Sequence, residues 1–528
     1  MGPEFIEMDY IRPHTIVKRA YQLNIFNAVK DRNALVVVPT GLGKTVIAFM
    51  VIAHRIPHGK VLFLAPTKPL CEQHHASLLK LTTLDDVFLI TGEKTKKGER
   101  GEIYRRAQAI VATPQTIAND LNEIDMGEFS LVIFDEAHRA VGNYAYVPIA
   151  EECVLHGVQI LGLTASPRSD AARLKEVITH LGIEAIEVRT EDDPDVKPYL
   201  PPRIIRWKMI DMPPEMKAMA ARIEALKADF LIELNKYYKL PTSPKRVTKK
   251  MLIDAQKKLQ QRLAKGGKSL YGAVSVVSTL IKVYHLSDML TSQGVEAAKT
   301  YLKKIEKDTS KAAKRLRKNA HYQEVKRALA YVELSNPKLT FTREIVGRHF
   351  AKKRDARVMV FAEYRDTIDV LFNELNRMPG VRAAKFIGQA KGSGDGMSQD
   401  EQKKVIQAFR DGAYNVLIST SIGEEGIDIP ATSLVLFYEP VPSAIRHIQR
   451  RGRTARGGLP GEVYILIMRG SRDEAYYWSS RRKERKMLSQ IQRLKEMLEG
   501  TPRRREKPKR EIPPSGGSEG QATLDAWW

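Results

Sequence analysis

The chain has 528 residues, more than one hydrophobic core organises, so about three domains are expected. It carries 86 Lys and Arg against 62 Asp and Glu, a net charge of +24. No apolar run approaches the roughly 18 residues of a membrane span. The first residues lack the basic and apolar regions of a secretory signal. Cys71 and Cys153, the only cysteines, make neither a disulfide framework nor a zinc site. The expectation is a cytoplasmic, nucleoid-associated protein with no membrane partner, with residues 1–7 as an N-terminal extension.

From residue 8 to 205 short apolar runs alternate with helical stretches. Strands are expected near 35–38, 61–65, 87–90, 109–112, 131–134 and 160–163. That pattern predicts a parallel sheet covered on both faces. Residues 336–500 repeat the plan, with strands near 357–361, 383–387, 415–418, 434–438 and 462–466. Residues 206–335 have almost no strand pattern. Met216, Met219, Ile223 and Leu226 fall at helical spacing, as do Met251, Leu252, Ala255, Leu259 and Leu263. An inserted all-helical domain is expected there, with Tyr271 to Leu290 as its buried helix. Residues 501–528 are expected to form a disordered tail, Pro-, Gly-, Ser- and Arg-rich from about Thr501 to Gln521.

Charge is concentrated in two segments. Residues 201–340 hold 30 Lys and Arg against 12 Asp and Glu, and residues 481–510 hold 13 against 4. Such concentration suits contact with a phosphate backbone. Lys311 and Arg315 are candidate nucleic-acid contacts in the densest run.

Pro39-Thr40-Gly41-Leu42-Gly43-Lys44-Thr45 joins an expected strand to a helix. A turn of this kind aims backbone N–H groups and a helix N-terminus at a phosphate. Lys44 would reach the β- and γ-phosphates of ATP, and the Thr45 hydroxyl would hold Mg²⁺. The full pattern has Gly where this chain has Val38. Asp135-Glu136-Ala137-His138 ends the strand Leu131–Phe134, where a Mg²⁺ ligand (Asp135) and a water-polarising base (Glu136) belong. Upstream, Arg19-Ala20-Tyr21-Gln22 offers through Gln22 a donor and an acceptor for an adenine edge.

Other loops carry hydroxyls suited to phosphates: Thr67 and Lys68 in one, Thr113 and Thr116 in another. Thr164-Ala165-Ser166 would link hydrolysis to the strand-binding face. In the second lobe Thr420 precedes Gly423-Glu424-Glu425-Gly426-Ile427-Asp428, and Gln449-Arg450-Arg451-Gly452-Arg453-Thr454-Ala455-Arg456 follows. Arginines three apart share a helix face. Arg453 and Arg456 would act on a γ-phosphate held by the first lobe.

This ordered set resembles the superfamily 2 helicases of DEAH type, over residues 19 to 456. More narrowly it resembles the archaeal Hef helicases, related to the Fanconi-anaemia M translocase. The basic insert, its Leu290-Thr291-Ser292-Gln293-Gly294-Val295, and Phe386-Ile387-Gly388-Gln389 followed by Gly396-Met397-Ser398-Gln399 and Gln402 carry the narrower likeness. The resemblance implies two RecA-like α/β lobes with ATP and Mg²⁺ in the cleft. It implies catalytic roles for His138 and Gln449, nucleotide contacts from Gly426 and Asp428, and an archaeal source. It further implies 3′→5′ movement on forked or branched DNA, in fork repair and restart. RNA helicases of the RIG-I-like and Dicer branch, and an ATP-gated binding module, are the alternatives. Glu484-Arg485-Lys486 looks like part of the Hef nuclease core, but Gln490 stands where that core has Asp. The chain is therefore read as the helicase part without the nuclease. Gln521, Leu524, Trp527 and Trp528 resemble a sliding-clamp (PCNA) interaction peptide, with the three apolar residues on one helical turn.

Overall fold

The computed structural model describes residues 3–499 and 520–522, apart from 40, 93–94, 166–170, 201–202, 266–269, 333, 335, 389–395, 421–428 and 442–460. Two seven-stranded sheets organise the chain. In the first, β1 (Ala34–Val37), β2 (Lys60–Leu64), β3 (Val87–Ile90), β4 (Ala109–Ala112), β5 (Phe129–Asp135), β6 (Gln159–Thr164) and β7 (Ala185–Val188) run in the order β3-β4-β2-β5-β6-β1-β7. All neighbours are parallel. Residues in β1, β4, β5 and β6 are buried along their whole length. Helices cover both faces, so alternation of polar and apolar residues is not needed.

The second sheet contains β8 (Arg203–Ile210), β9 (Val358–Phe361), β10 (Ala383–Phe386), β11 (Val416–Ser419), β12 (Leu434–Phe437) and β13 (Gly461–Met468), with a short β14 (Gly520–Ala522). Its order is β10-β11-β9-β12-β13-β8-β14. β8 pairs with β13 over eight residues, from Arg203 opposite Gly461 to Ile210 opposite Met468. The second sheet thus begins at Arg203, before the helical insert, where the sequence pattern placed the first lobe up to 205. β14 pairs antiparallel with β8, setting Gln521 opposite Arg206. These three residues are an extended, paired strand where a disordered tail is expected; the β8 edge offers them unpaired backbone groups.

The insert packs on the second lobe. One core cluster runs from Met216, Ile223 and Leu226 through Val277, Leu280 and Val283 to Val358, Val360 and Leu436. Each such buried aliphatic side chain contributes about 1.5–3 kcal/mol. The helix Tyr271–Asp288 is central to the bundle and gives way to a π-helix, Met289–Gln293. Gly294 follows at φ 101°, and a Cβ there would lie 2.5 Å from Asn336 Nδ2, so only glycine fits. Asn336 donates to the Gln293 carbonyl and to Tyr438 Oη. Thr367 Oγ1 donates to Gln293 Oε1 at 2.6 Å. The Leu290–Val295 motif is thus the joint between insert and second lobe.

The last helix, Arg472–Glu499, begins in the second lobe, where Tyr477 joins a core cluster. Its later turns reach the first lobe. Met487 and Ile491 are buried among Leu35, Val177, Leu181 and Ile186. Lys495 pairs with Glu187 on β7 at 3.1 Å.

Candidate active site

The phosphate turn is built by glycine and closed by glutamine. Gly41 (φ 91°) and Gly43 (φ 70°) take left-handed conformations and turn the chain from β1 into the helix Lys44–Arg55. A Cβ on Gly43 would sit 2.5 Å from Gln22 Nε2. Gln22 is buried and donates to the Leu42 carbonyl at 3.2 Å, and Tyr21 Oη donates to the same carbonyl at 2.6 Å. Gln22 Oε1 is buried without a hydrogen-bond partner, an acceptor that suits an amino group on a bound base. Arg19 approaches Tyr21 Oη and lies 5.9 Å from the Tyr199 ring centre. Lys44 Nζ lies 3.3 Å from the Val38 carbonyl, and Thr45 is partly exposed in the helix's first turn. Thr40 lies outside the described residues, while Pro39 is described and partly exposed.

Asp135 ends β5, two strands from β1. Both its carboxylate oxygens are held: Oδ1 accepts from the Glu136 N–H and Oδ2 from His74 Nε2, each at 3.0 Å. Tyr146 Oη donates to the Asp135 carbonyl at 2.6 Å. Burial pushes the Asp135 carboxyl up, but the His74 hydrogen bond and charge, then Lys44 and the Glu136 N–H, outweigh it and hold Asp135 below the usual range. The ionised Asp135 carboxylate and the Thr45 hydroxyl are oxygen donors of the kind that fits Mg²⁺, and the Lys44 ammonium is suited to phosphate rather than to the metal. That ion takes few protein ligands and completes its shell with water and phosphate.

Glu136 adopts φ 50°, a left-handed conformation costly for a residue with a Cβ. Its Oε2 lies 3.2 Å from His138 Nδ1, yet no donor is aligned on it and the atom is buried. His138 Nδ1 is also 3.2 Å from Thr164 Oγ1 at the end of β6. The strained turn therefore aims a carboxylate with spare acceptor capacity, and ties the next histidine to β6. Ser166, the last residue of that loop motif, is outside the described residues.

The hydroxyl loops sit at helix starts. Thr67 caps Lys68–Leu81 without a capping bond from its side chain, and its Oγ1 is buried without a partner. Thr113 and Thr116 face each other at 2.8 Å at the start of Pro114–Asn119. Thr420 follows β11 and is partly exposed. Gly426, Asp428, Gln449, Arg453 and Arg456 lie outside the described residues, as do Leu524, Trp527 and Trp528. In the insert Lys311, Lys314 and Lys318 are exposed. Arg315 is committed to an ion pair with Glu233. Arg317 donates to the carbonyls of Ile305, Glu306 and Asp308, closing the end of a neighbouring helix. Tyr21, His74 and Tyr146 escape sequence reading; the one available signal was the buried spacing of Cys71, His74 and Leu78 on one helix face.

The DEAD/DEAH box helicase model matches residues 19–174, and the helicase conserved C-terminal domain model matches residues 338–458. A helical-bundle model of ATP-dependent RNA helicases matches residues 217–333. The crystal structure of the Pyrococcus furiosus Hef helicase domain is similar with a TM-score of 0.71 and 41% identity, over 89% of this chain and 100% of that one. A Methanocaldococcus jannaschii protein, provisionally named an ATP-dependent RNA helicase, is 41% identical over 92% of this chain and 62% of its own length. The ATP-dependent DNA helicase fml1 of Schizosaccharomyces pombe is 31% identical over 89% of this chain and 59% of its own length. The chain thus spans about three fifths of these two relatives.

Proposed function

We propose, given that the chain belongs to the Hef-type DEAD/DEAH-box helicases, that it is an ATP-driven DNA helicase or translocase acting on forked or branched DNA. Movement 3′→5′ along one strand and a role in fork repair complete the reading. The observation that carries the ATPase half is the convergence of the glycine turn, Lys44 and the strained Asp135–Glu136 pair at strand ends of one sheet. The DNA half rests on the basic insert and on the name of the fml1 relative.

Lys44 and the turn's backbone N–H groups would grip the phosphates. Thr45 and Asp135 would hold Mg²⁺, which, when bound, neutralises charge developing on the β- and γ-phosphates. Glu136 would orient and deprotonate water. Gln22 would read adenine. Arg453 and Arg456, from the second lobe, would complete the charge stabilisation only when the lobes close. Nucleic-acid contact through Thr67, Lys68, Thr113, Thr116 and Thr420 would favour that closure. The C-terminal peptide would bind a sliding clamp.

A second reading, an RNA helicase, is favoured by the Methanocaldococcus name and the RNA-helicase bundle model. ATPase rates with forked DNA, linear duplex DNA, single-stranded DNA and double-stranded RNA in parallel separate the two. The strongest stimulation is expected from forked DNA. Stronger stimulation by double-stranded RNA would overturn the DNA reading.

A further inference from the structure

One helix of the first lobe touches three things that hydrolysis must bring together. Lys68–Leu81 starts at Thr67 and Lys68, the proposed strand contacts. Glu72, in its second turn, places Oε2 3.4 Å from Nζ of Lys403, on the second lobe's helix Gln399–Arg410. His74, about 10 Å along the axis from Thr67, is buried and donates to Asp135 Oδ2 at 3.0 Å.

A carboxylate only accepts, so His74 Nε2 must carry the proton. The ring is fixed on its other side. It packs 4.5 Å from the Phe63 ring centre, and its Nδ1 is buried with no partner. Nothing else on the ring competes for its orientation. The position of Asp135 Oδ2 therefore follows the position of the helix. Cys71 and Leu78, on the same face, are also buried, so the helix moves against the sheet as a unit or not at all.

We propose that His74 is a positioning residue that sets the metal-holding carboxylate of Asp135 according to how the Lys68–Leu81 helix is seated. Nucleic acid at the helix start and the second lobe at Glu72 both bear on that seating. His74 carries their effect into the nucleotide site. The proposal rests on the reading of Asp135 as the Mg²⁺ ligand.

The test uses the whole chain and a fluorescent, non-hydrolysable ATP analogue, titrated with Mg²⁺ with and without forked DNA. ATPase stimulation by DNA is measured alongside. His74→Leu fills the space without a donor; His74→Gln keeps an amide N–H near the Nε2 position. Partner groups of metal ligands are worth about 10–100-fold in metal affinity. His74→Leu should raise the Mg²⁺ concentration for half-maximal analogue binding about tenfold and lower the factor of DNA stimulation. His74→Gln should restore both to within about threefold of wild type. A Leu variant that matches wild type in both readouts overturns the proposal, as does a Gln variant as impaired as Leu. Asp135→Asn is the control for the underlying reading. If its Mg²⁺ requirement is unchanged, the ligand assignment fails, whatever the His74 variants do.

Discussion

Lys338 and Asp473 form an ion pair to which solvent has no access: their side chains are 0% and 1% exposed. The pair fastens the start of the helix Pro337–Lys352 to the start of the C-terminal helix. Asp473 also accepts from the Met468 N–H at 3.2 Å. Removing one partner leaves a buried charge uncompensated, which costs about 3–5 kcal/mol. Asp473→Ala should lose that much stability in denaturant titration, while Lys338→Met with Asp473→Leu should lose clearly less. Equal losses would mean the pair is only filler.

Nucleotide grip and bond cleavage should separate. Lys44→Ala should abolish turnover while nucleic-acid binding survives, because the two use different surfaces. Glu136→Gln should keep nucleotide binding and slow hydrolysis by about 10²–10⁴-fold, the range for a general base. Equilibrium binding and single-turnover assays on both variants check this. A Gln variant unable to bind nucleotide would contradict the division of roles.

Glu439 gives stability a pH dependence. Burial pushes its carboxyl up to about 7, with Lys338 and the Glu363 N–H opposing. The unfolded chain releases this proton near 4.5; the folded chain keeps it until about 7. The folded state therefore binds more protons in that window, and stability falls as pH rises through it. Glu439→Gln keeps an acceptor for Glu363 and removes the buried charge. It should stabilise by up to about 3 kcal/mol at pH 8 and have little effect near pH 4. Melting curves at both values decide it.

In the insert, exposure picks out the cations that the proposed function would bring to DNA. Lys311, Lys314 and Lys318 to Ala should reduce the slope of log affinity against log salt by about 0.9 for each lost phosphate contact. Folding should be preserved. Arg317→Ala should instead lower the melting temperature, since three carbonyls lose their donor. An unchanged salt slope in the triple variant would make that run a solvated face.

A peptide of residues 515–528 should bind a sliding clamp with a Kd near the micromolar range, or about −8 kcal/mol. Trp527→Ala with Trp528→Ala should remove most of that energy, because aromatic anchors dominate such contacts. Calorimetry with equal heats for both peptides would remove the clamp as a partner.

Eleven strands were legible because short, mostly apolar runs between turn signals have few other fates. β7 and β8 were not. β8 alternates Arg206 and Lys208 with Trp207 and Met209, and its partner β13 lies some 250 residues away, a pairing no local pattern encodes. Lys44, Asp135 and Glu136 could be singled out from spacing, since phosphate chemistry restricts which residues work there, and the structure sets all three at strand ends of one sheet. His74 was not, because a histidine in a helix takes its meaning from the strand it touches. Arg315 and Arg317 looked like free charge until their partners were visible.

The C-terminal helix constrains how the motor moves. Tyr477 sits in a second-lobe core cluster and Met487 in a first-lobe one, about 15 Å of helix apart. A rod of fixed length between two bodies permits rotation about its ends but resists their separation. Opening the cleft should therefore be a swing with a set radius, closer to a door than to a drawer. The size of each opening would then be set by the angle the rod allows, and lengthening the rod by whole turns would change it without touching either lobe's surface.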